Sequence, residues 1–425
     1  MFRIPELKRR LLFTGMILLI YRLGGHIPTP GINRTALKAF FDAQTGSLMG
    51  LYDMFSGGNL SNATIFALGI MPYISASIIF QLLQAVVPHF EKLAKEGEEG
   101  RKKITQYTRF ATVGLAMVQS FSMAAGLEAM PGGIVTTPGL AFKLLTALTL
   151  TAGTVFVMWL GEQITERGIG NGISLIIFIG IVAMYPTDIL NTGQMLASGD
   201  MHILKALFIG CFMLFVIAGI IAITQGQRKI PVQYAKKIVG RRVYGGANTH
   251  IPLKVNTAGV IPIIFAQSII MFPGTLGAIF PDSGFFTTLG MLFRPPHPVY
   301  VVVYSALIIL FAYFYTAVIL NPVDLADNMK KNSGFIPGVR PGKKTAEYID
   351  RVLTRVTLPG AVFLAVIAVL PDLMISFMKV PFYFGGTGLL IVVGVALDTL
   401  QQIESHLVMR HYDGFMSKGR MRARR

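Results

Sequence analysis

The chain is poor in the groups that soluble enzymes work with. Of its 425 residues 14 per cent are charged, seven are histidine and one, Cys211, is cysteine. A single cysteine excludes an intrachain disulfide and leaves no cysteine-built metal or cofactor site. Neither HExxH nor GxxxxGK[ST] occurs, so zincin chemistry and a Walker-type nucleotide site are both absent. No catalytic residue, metal or cofactor is expected, and the chain is not expected to be an enzyme. Energy for any work must come from a partner or from a membrane potential. A hydrophobic content of 53 per cent excludes a soluble globular domain.

What is present is a ladder of ten apolar stretches, at roughly 11–30, 64–87, 109–127, 141–161, 172–186, 203–223, 256–280, 299–321, 354–371 and 383–403. Most approach the roughly 20 residues that a helix needs to cross a bilayer core. The first continues past Arg22 with no small-residue cleavage site, so it is expected to be a retained helix and not a signal peptide. If the segments alternate from a cytoplasmic N-terminus, 31 of the 38 lysines and arginines fall on the cytoplasmic side. The positive-inside rule then places both termini in the cytoplasm. Between their ends the segments hold almost no ionisable side chains. Coupled carriers need such groups at mid-membrane to bind the coupling ion, which counts against an ion-driven transporter.

Five segments in each half is an odd number, so the halves enter the membrane from opposite sides as an inverted repeat. An internal echo supports this. Gly69-Ile-Met-Pro72-Tyr-Ile74-Ser-Ala76 matches Gly259-Val-Ile-Pro262-Ile-Ile264-Phe-Ala266 in register, at the second segment of each half. Paired Gly/Pro interruptions at corresponding positions point to the working site of such a repeat. The expected fold is an all-α polytopic membrane protein, with ten transmembrane helices in two pseudo-symmetric inverted five-helix halves. The halves are placed at 1–190 and 191–405, followed by a basic cytoplasmic tail, 406–425.

Before the second segment, the stretch 46–60 is moderately apolar and ends in Gly57-Gly58. It is too short to span. It suits either a helix folded back into a protein-lined vestibule, hinged at the glycine pair, or an interfacial helix on the outer leaflet. Two cytoplasmic loops, 224–255 and 322–353, carry seven and six basic residues respectively. The first alternates over Arg228–Tyr244 as a strand or hairpin would; the second places Arg340 between Pro337 and Pro341, in turn-forming Pro-Gly surroundings. Basic charge on ordered turns suits docking on a large anionic partner, while charge for orientation alone and attraction to anionic lipid are the simpler readings.

Several runs together resemble the SecY family, the channel subunit of the bacterial protein translocase. They are Phe55-Ser-Gly-Gly58, Ile65–Ile79, Trp159–Ser174, Thr249–Pro262, Ala326–Lys331, Gly338–Gly342 and Lys379–Thr387, in the family's order along nearly the whole chain. The resemblance implies a central pore and a clamshell that opens towards lipid. It makes Ile70, Ile74, Ile173, Ile177, Ile264 and Ile391 the pore ring, of which Ile74 and Ile264 are also paired by the internal echo. A collar of branched apolar side chains can stay dewetted when closed and deform around any passing chain. The stretch 46–60 becomes the plug over this collar, with Leu48, Leu51, Tyr52, Met54, Phe55, Gly57 and Gly58 as its working residues. Gln81, Gln119 and Asn256 fall at the polar cluster of the lateral gate, between segments two/three and seven/eight, where amides facing each other would hold the seam shut. Arg241, Arg242 and Arg340 match positions used for cytosolic partners, the ATPase SecA and the ribosome. SecE and SecG are the implied membrane partners, and signal sequences and preproteins the cargo. A small-molecule transporter and an intramembrane enzyme remain as competing classes; the first lacks coupling carboxylates and the second any catalytic constellation.

Overall fold

A computed structural model describes residues 5–43, 48–130, 133–199, 201–234, 237–239, 242–244, 248–279, 284–293, 295, 297–378 and 386–418. The first half comprises α1 (Pro5–Gly24), α2 (Arg34–Ala43), α3 (Leu48–Ser56), α4 (Met71–Val86), α5 (Pro88–Lys95), α6 (Glu98–Ala129), α7 (Leu140–Arg167), α8 (Gly172–Val182) and α9 (Tyr185–Ser198). The second comprises α10 (Ile203–Gln225), strands β1 (Gln227–Tyr234), β2 (Lys237–Val239), β3 (Arg242–Tyr244) and β4 (Asn248–Lys254), then α11 (Ile261–Ile279), α12 (Gly284–Leu292), α13 (Pro298–Ile319), α14 (Pro322–Lys331), β5 (Gly334–Phe335), α15 (Lys343–Met378) and α16 (Gly386–Lys418). The expected boundary at 190 falls inside α9.

Among the described residues, seven stretches are long and apolar enough to cross a membrane: α6, α7, α8 with α9, α10, α13 with α14, α15 and α16. The α4–α5 pair, bent by 97°, makes an eighth. Helices α1 and α11 occupy the remaining two of the ten apolar segments. Helix starts follow local chemistry. Proline sits in the first turn of α4, α5, α9, α13 and α14, where its missing N–H has no intrahelical partner to lose. The Asn171 side chain caps α8, accepting from the N–H groups of Ile173 and Ser174 at 3.1 and 3.3 Å.

One expectation needs correction. The second segment is not one apolar helix over 64–87: helix begins only at Met71, and the residues before it run as buried, irregular backbone. Such backbone is tolerated at membrane depth because protein, not lipid, surrounds it. The membrane part is all-α as expected, and the basic loops outside it add short strands. Strand β1 pairs antiparallel with β4, with Ile230 opposite Ile251, and with β5, Gln233 opposite Phe335; β2 and β3 form a small hairpin. The two basic loops therefore join into one cap with its own core of Ile230, Val232, Leu253, Met329, Ile336, Ile349 and Leu353. Alternation in β1 explains it, because Ile230 and Val232 turn inwards while Lys229, Pro231 and Gln233 face out.

Candidate functional site: collar, plug and seam

The repeated motif is a repeated backbone. Gly69 and Gly259 both adopt positive φ, +56° and +63°. In each case the residue that follows opens a helix by accepting from the N–H groups three and four positions on: Ile70 from Tyr73 and Ile74, Val260 from Ile263 and Ile264, all at 3.1–3.2 Å. Glycine suits this turn because L side chains disfavour left-handed backbone by roughly 1–2 kcal/mol. The proline in the next turn then keeps the helix from extending backwards.

These two turns deliver Ile70, Ile74 and Ile264 to one apolar cluster, where Ile177 from α8 and Ile391 from α16 join them. Those five are between 0 and 5 per cent exposed, and Ile173 packs against the cluster partly buried. Four helices from both halves thus meet in branched aliphatic side chains. Met54 and Phe55 of α3 belong to the same cluster and Tyr52 packs against it. The side chains of Leu48 and Leu51 lie outside the described residues.

Helix α3 is folded inwards and not laid on a surface, which decides between the two readings of 46–60. Gly57 and Gly58, at φ +73° and +78°, turn the chain out of it. A Cβ on Gly57 would come within 2.7 Å of the Gly180 Cα, so the turn is pressed directly against α8. Polar groups around this turn are satisfied. The Tyr21 hydroxyl donates to the Ser56 carbonyl at 3.2 Å, Asn59 Nδ2 donates to the same carbonyl, and Arg22 Nη1 donates to the Gly57 carbonyl at 3.2 Å. Asp53 Oδ1 accepts from the N–H groups of Leu60 and Ser61 at 3.0 and 2.9 Å. Burial raises the pKa of this carboxyl, and the two N–H groups oppose that shift. The hinge end of α3 is therefore anchored to α1 and to its own return loop.

The seam between the halves runs where α4 and α6 pack on α11. Its amides do not face one another in hydrogen bonds, contrary to expectation. Gln81 Nε2 donates to Ser77 Oγ on its own helix at 3.2 Å, Asn256 Nδ2 to the Gly259 carbonyl in its own turn at 3.1 Å, and Gln119 Oε1 has no partner among the described residues. Local partners lie within one helical turn and cost less ordering than partners across a seam. What crosses it is apolar packing and a long contact from Ser268 Oγ to Met71 Sδ, 3.9 Å. Elsewhere the halves are tied more firmly. The loop between α7 and α8 donates from Ile169 N to Thr14 Oγ1 and from Gly170 N to Gln402 Oε1, at 3.1 and 3.0 Å, linking α1 to α16. Sequence reasoning missed the role of this glycine-rich run as a joint; Asn171 as a cap was the available signal.

On the basic cap Arg340 is exposed, just past the left-handed Gly338. Arg241 lies outside the described residues, as do the side chain of Arg242, residues 379–385 and the tail 419–425.

Residues 64–400 match the family model for SecY. The protein translocase subunit SecY of Escherichia coli K12 is 50 per cent identical over 422 residues, covering 98 per cent of this chain and 95 per cent of that one. A solved protein-conducting channel superposes with a TM-score of 0.68 at 18 per cent identity, covering 95 and 93 per cent of the two chains. A second solved structure, reported for a SecY plug domain that stabilises the closed channel and maintains a membrane seal, gives 0.66 at 18 per cent identity and the same coverage. The chain belongs to the SecY family of protein translocase subunits.

Proposed function

We propose that this chain is the protein-conducting subunit of a bacterial translocase, passing unfolded preproteins across the cytoplasmic membrane and releasing transmembrane segments sideways into it. The observation that carries this reading is the junction of collar, plug and seam. Two helices that begin at the same glycine turn meet in one buried cluster rich in branched aliphatic side chains, and a short helix that ends at Gly57-Gly58 adds Met54 and Phe55 to that cluster. A dewetted aliphatic ring blocks ions without selecting a sequence, which is what a conduit for arbitrary polypeptides requires. A seam closed mainly by apolar contacts suits opening by an apolar signal helix, which replaces those contacts in kind.

Ile70, Ile74, Ile173, Ile177, Ile264 and Ile391 are the ring in this account, and the stretch 46–60 the plug. Gln81, Gln119 and Asn256 flank the lateral gate as amides without partners across it. The basic cap, with Arg241, Arg242 and Arg340, docks SecA and the ribosome; SecE and SecG brace the helices in the membrane, and anionic lipids attract the same cytoplasmic charge. Both termini are cytoplasmic by charge distribution. Reconstitution with SecE and SecA in liposomes, followed by protease digestion of an added preprotein, tests the function. Protected full-length preprotein that requires ATP is the expected result; protection equal to that of liposomes lacking this chain overturns the reading.

A further inference from the structure

Gln267 lies in α11, one turn beyond Ile264, and is 0 per cent exposed. Neither its Nε2 nor its Oε1 has a hydrogen-bond partner among the described residues. Its neighbours one turn away in either direction, Ile263, Ile264, Ile270 and Met271, are all apolar and buried. The next residue, Ser268, touches Met71 across the seam. A buried amide without partners opposes the closed state, because both its donors and its acceptor give up water for nothing.

The internal repeat shows how this arises. The register that pairs Gly69 with Gly259 pairs Ser77 with Gln267 and Gln81 with Met271. In α4 the two positions bond to each other, Gln81 Nε2 to Ser77 Oγ at 3.2 Å. In α11 the first position holds the amide, and the residue one turn on is a methionine, whose thioether is a poor acceptor. The same polar position is thus satisfied in one gate helix and orphaned in the other.

We propose that Gln267 is a specificity-determining residue of the gate: its amide is unpaired while the seam is closed and gains partners, from water or a passing peptide backbone, once it parts. The residue lowers the apolar strength that a signal sequence must have to open the channel. This inference rests on the channel reading above.

The test uses the complex reconstituted with SecE and driven by SecA, with one preprotein bearing an intact signal sequence and one bearing a weakened signal. Gln267→Met removes the polar atoms at nearly constant length. The double variant Gln267→Ser with Met271→Gln transplants the satisfied α4 pair into α11. Both are expected to lower the ratio of weakened-signal to intact-signal transport by about fivefold or more, the scale set by one buried unpaired amide. Gln267→Met should also hold or raise the thermal unfolding temperature of the complex. An unmoved or raised ratio in Gln267→Met overturns the inference, as does a lowered unfolding temperature with equal loss for both preproteins, which assigns the amide a structural partner. If the wild-type chain moves neither preprotein, the channel reading fails and this inference with it. A working wild type with an unmoved ratio overturns the inference alone.

Discussion

Helices α4 and α11 start alike and are approached differently. Each follows a left-handed glycine, each carries proline in its first turn, and each delivers an isoleucine to the same apolar cluster. Yet α4 is reached through a buried irregular segment that begins at the Gly57-Gly58 turn, whereas α11 is reached from β4 of the basic cap. The outer approach ends in hydrogen bonds to α1; the inner approach ends in a sheet that joins both basic loops. The backbone turn is what the repeat preserves, because it sets where each helix begins and hence where the collar residues stand. The approaches are free to diverge, one into the loop that anchors α3 and the other into the strands of the basic cap.

If the collar needs both helices equally, Ile74→Ser combined with Ile264→Ser should give the largest effect, raising resting ion conductance in planar bilayers by about tenfold or more, as removing some 1.4 kcal/mol of barrier would. Conductance equal to wild type would detach both residues from the seal. Next comes the outer approach. Gly57→Val places a branched side chain at positive φ and against Gly180, costing about 1–2 kcal/mol or more. It should displace the plug and leak severalfold, with no counterpart on the α11 side. A tight resting channel in this variant would show that α3 does not need its hinge.

The turns themselves permit a sharper comparison. A Cβ on Gly69 or on Gly259 would meet its nearest neighbour at an ordinary 3.5 Å, so the cost of Gly→Ala is conformational at both. Each substitution should destabilise by about 1 kcal/mol, and by similar amounts, in thermal unfolding of the purified complex. A silent substitution at one position would break the equivalence of the two turns. The smallest effect on the seal should come from Arg340→Glu, which leaves resting conductance unchanged while slowing SecA-driven transport severalfold. Transport at the wild-type rate would reduce Arg340 to one topological charge among several.

The ten segments, the inverted halves and the paired turn were legible in the chain, because hydrophobic length and Gly/Pro placement are local signals; for 46–60 they left a folded-back and an interfacial helix equally open. Three things were not. The pairing of β1 with β5 joins residues about a hundred positions apart in sequence, which alternation in Arg228–Tyr244 cannot announce. The non-helical backbone before Met71 is as apolar as a helix, so composition gives it no mark. The partners of Gln81 and Asn256 are settled by which group lies nearest, and both proved local. Resemblance to a family placed those amides at the gate; it could not say what they bond.

The central claim is that α4 and α11 part so that cargo can leave sideways. Met71 and Ser268 face each other across that seam, with Sδ and Oγ 3.9 Å apart. In a Cys211→Ala background, cysteines at both positions can be joined by a disulfide or by linkers of graded length. Transport of a signal-bearing preprotein should stop with the disulfide and return once the linker exceeds roughly the 10–12 Å diameter of a helix. Transport that persists through the disulfide, or that is equally blocked at every length, would contradict the account.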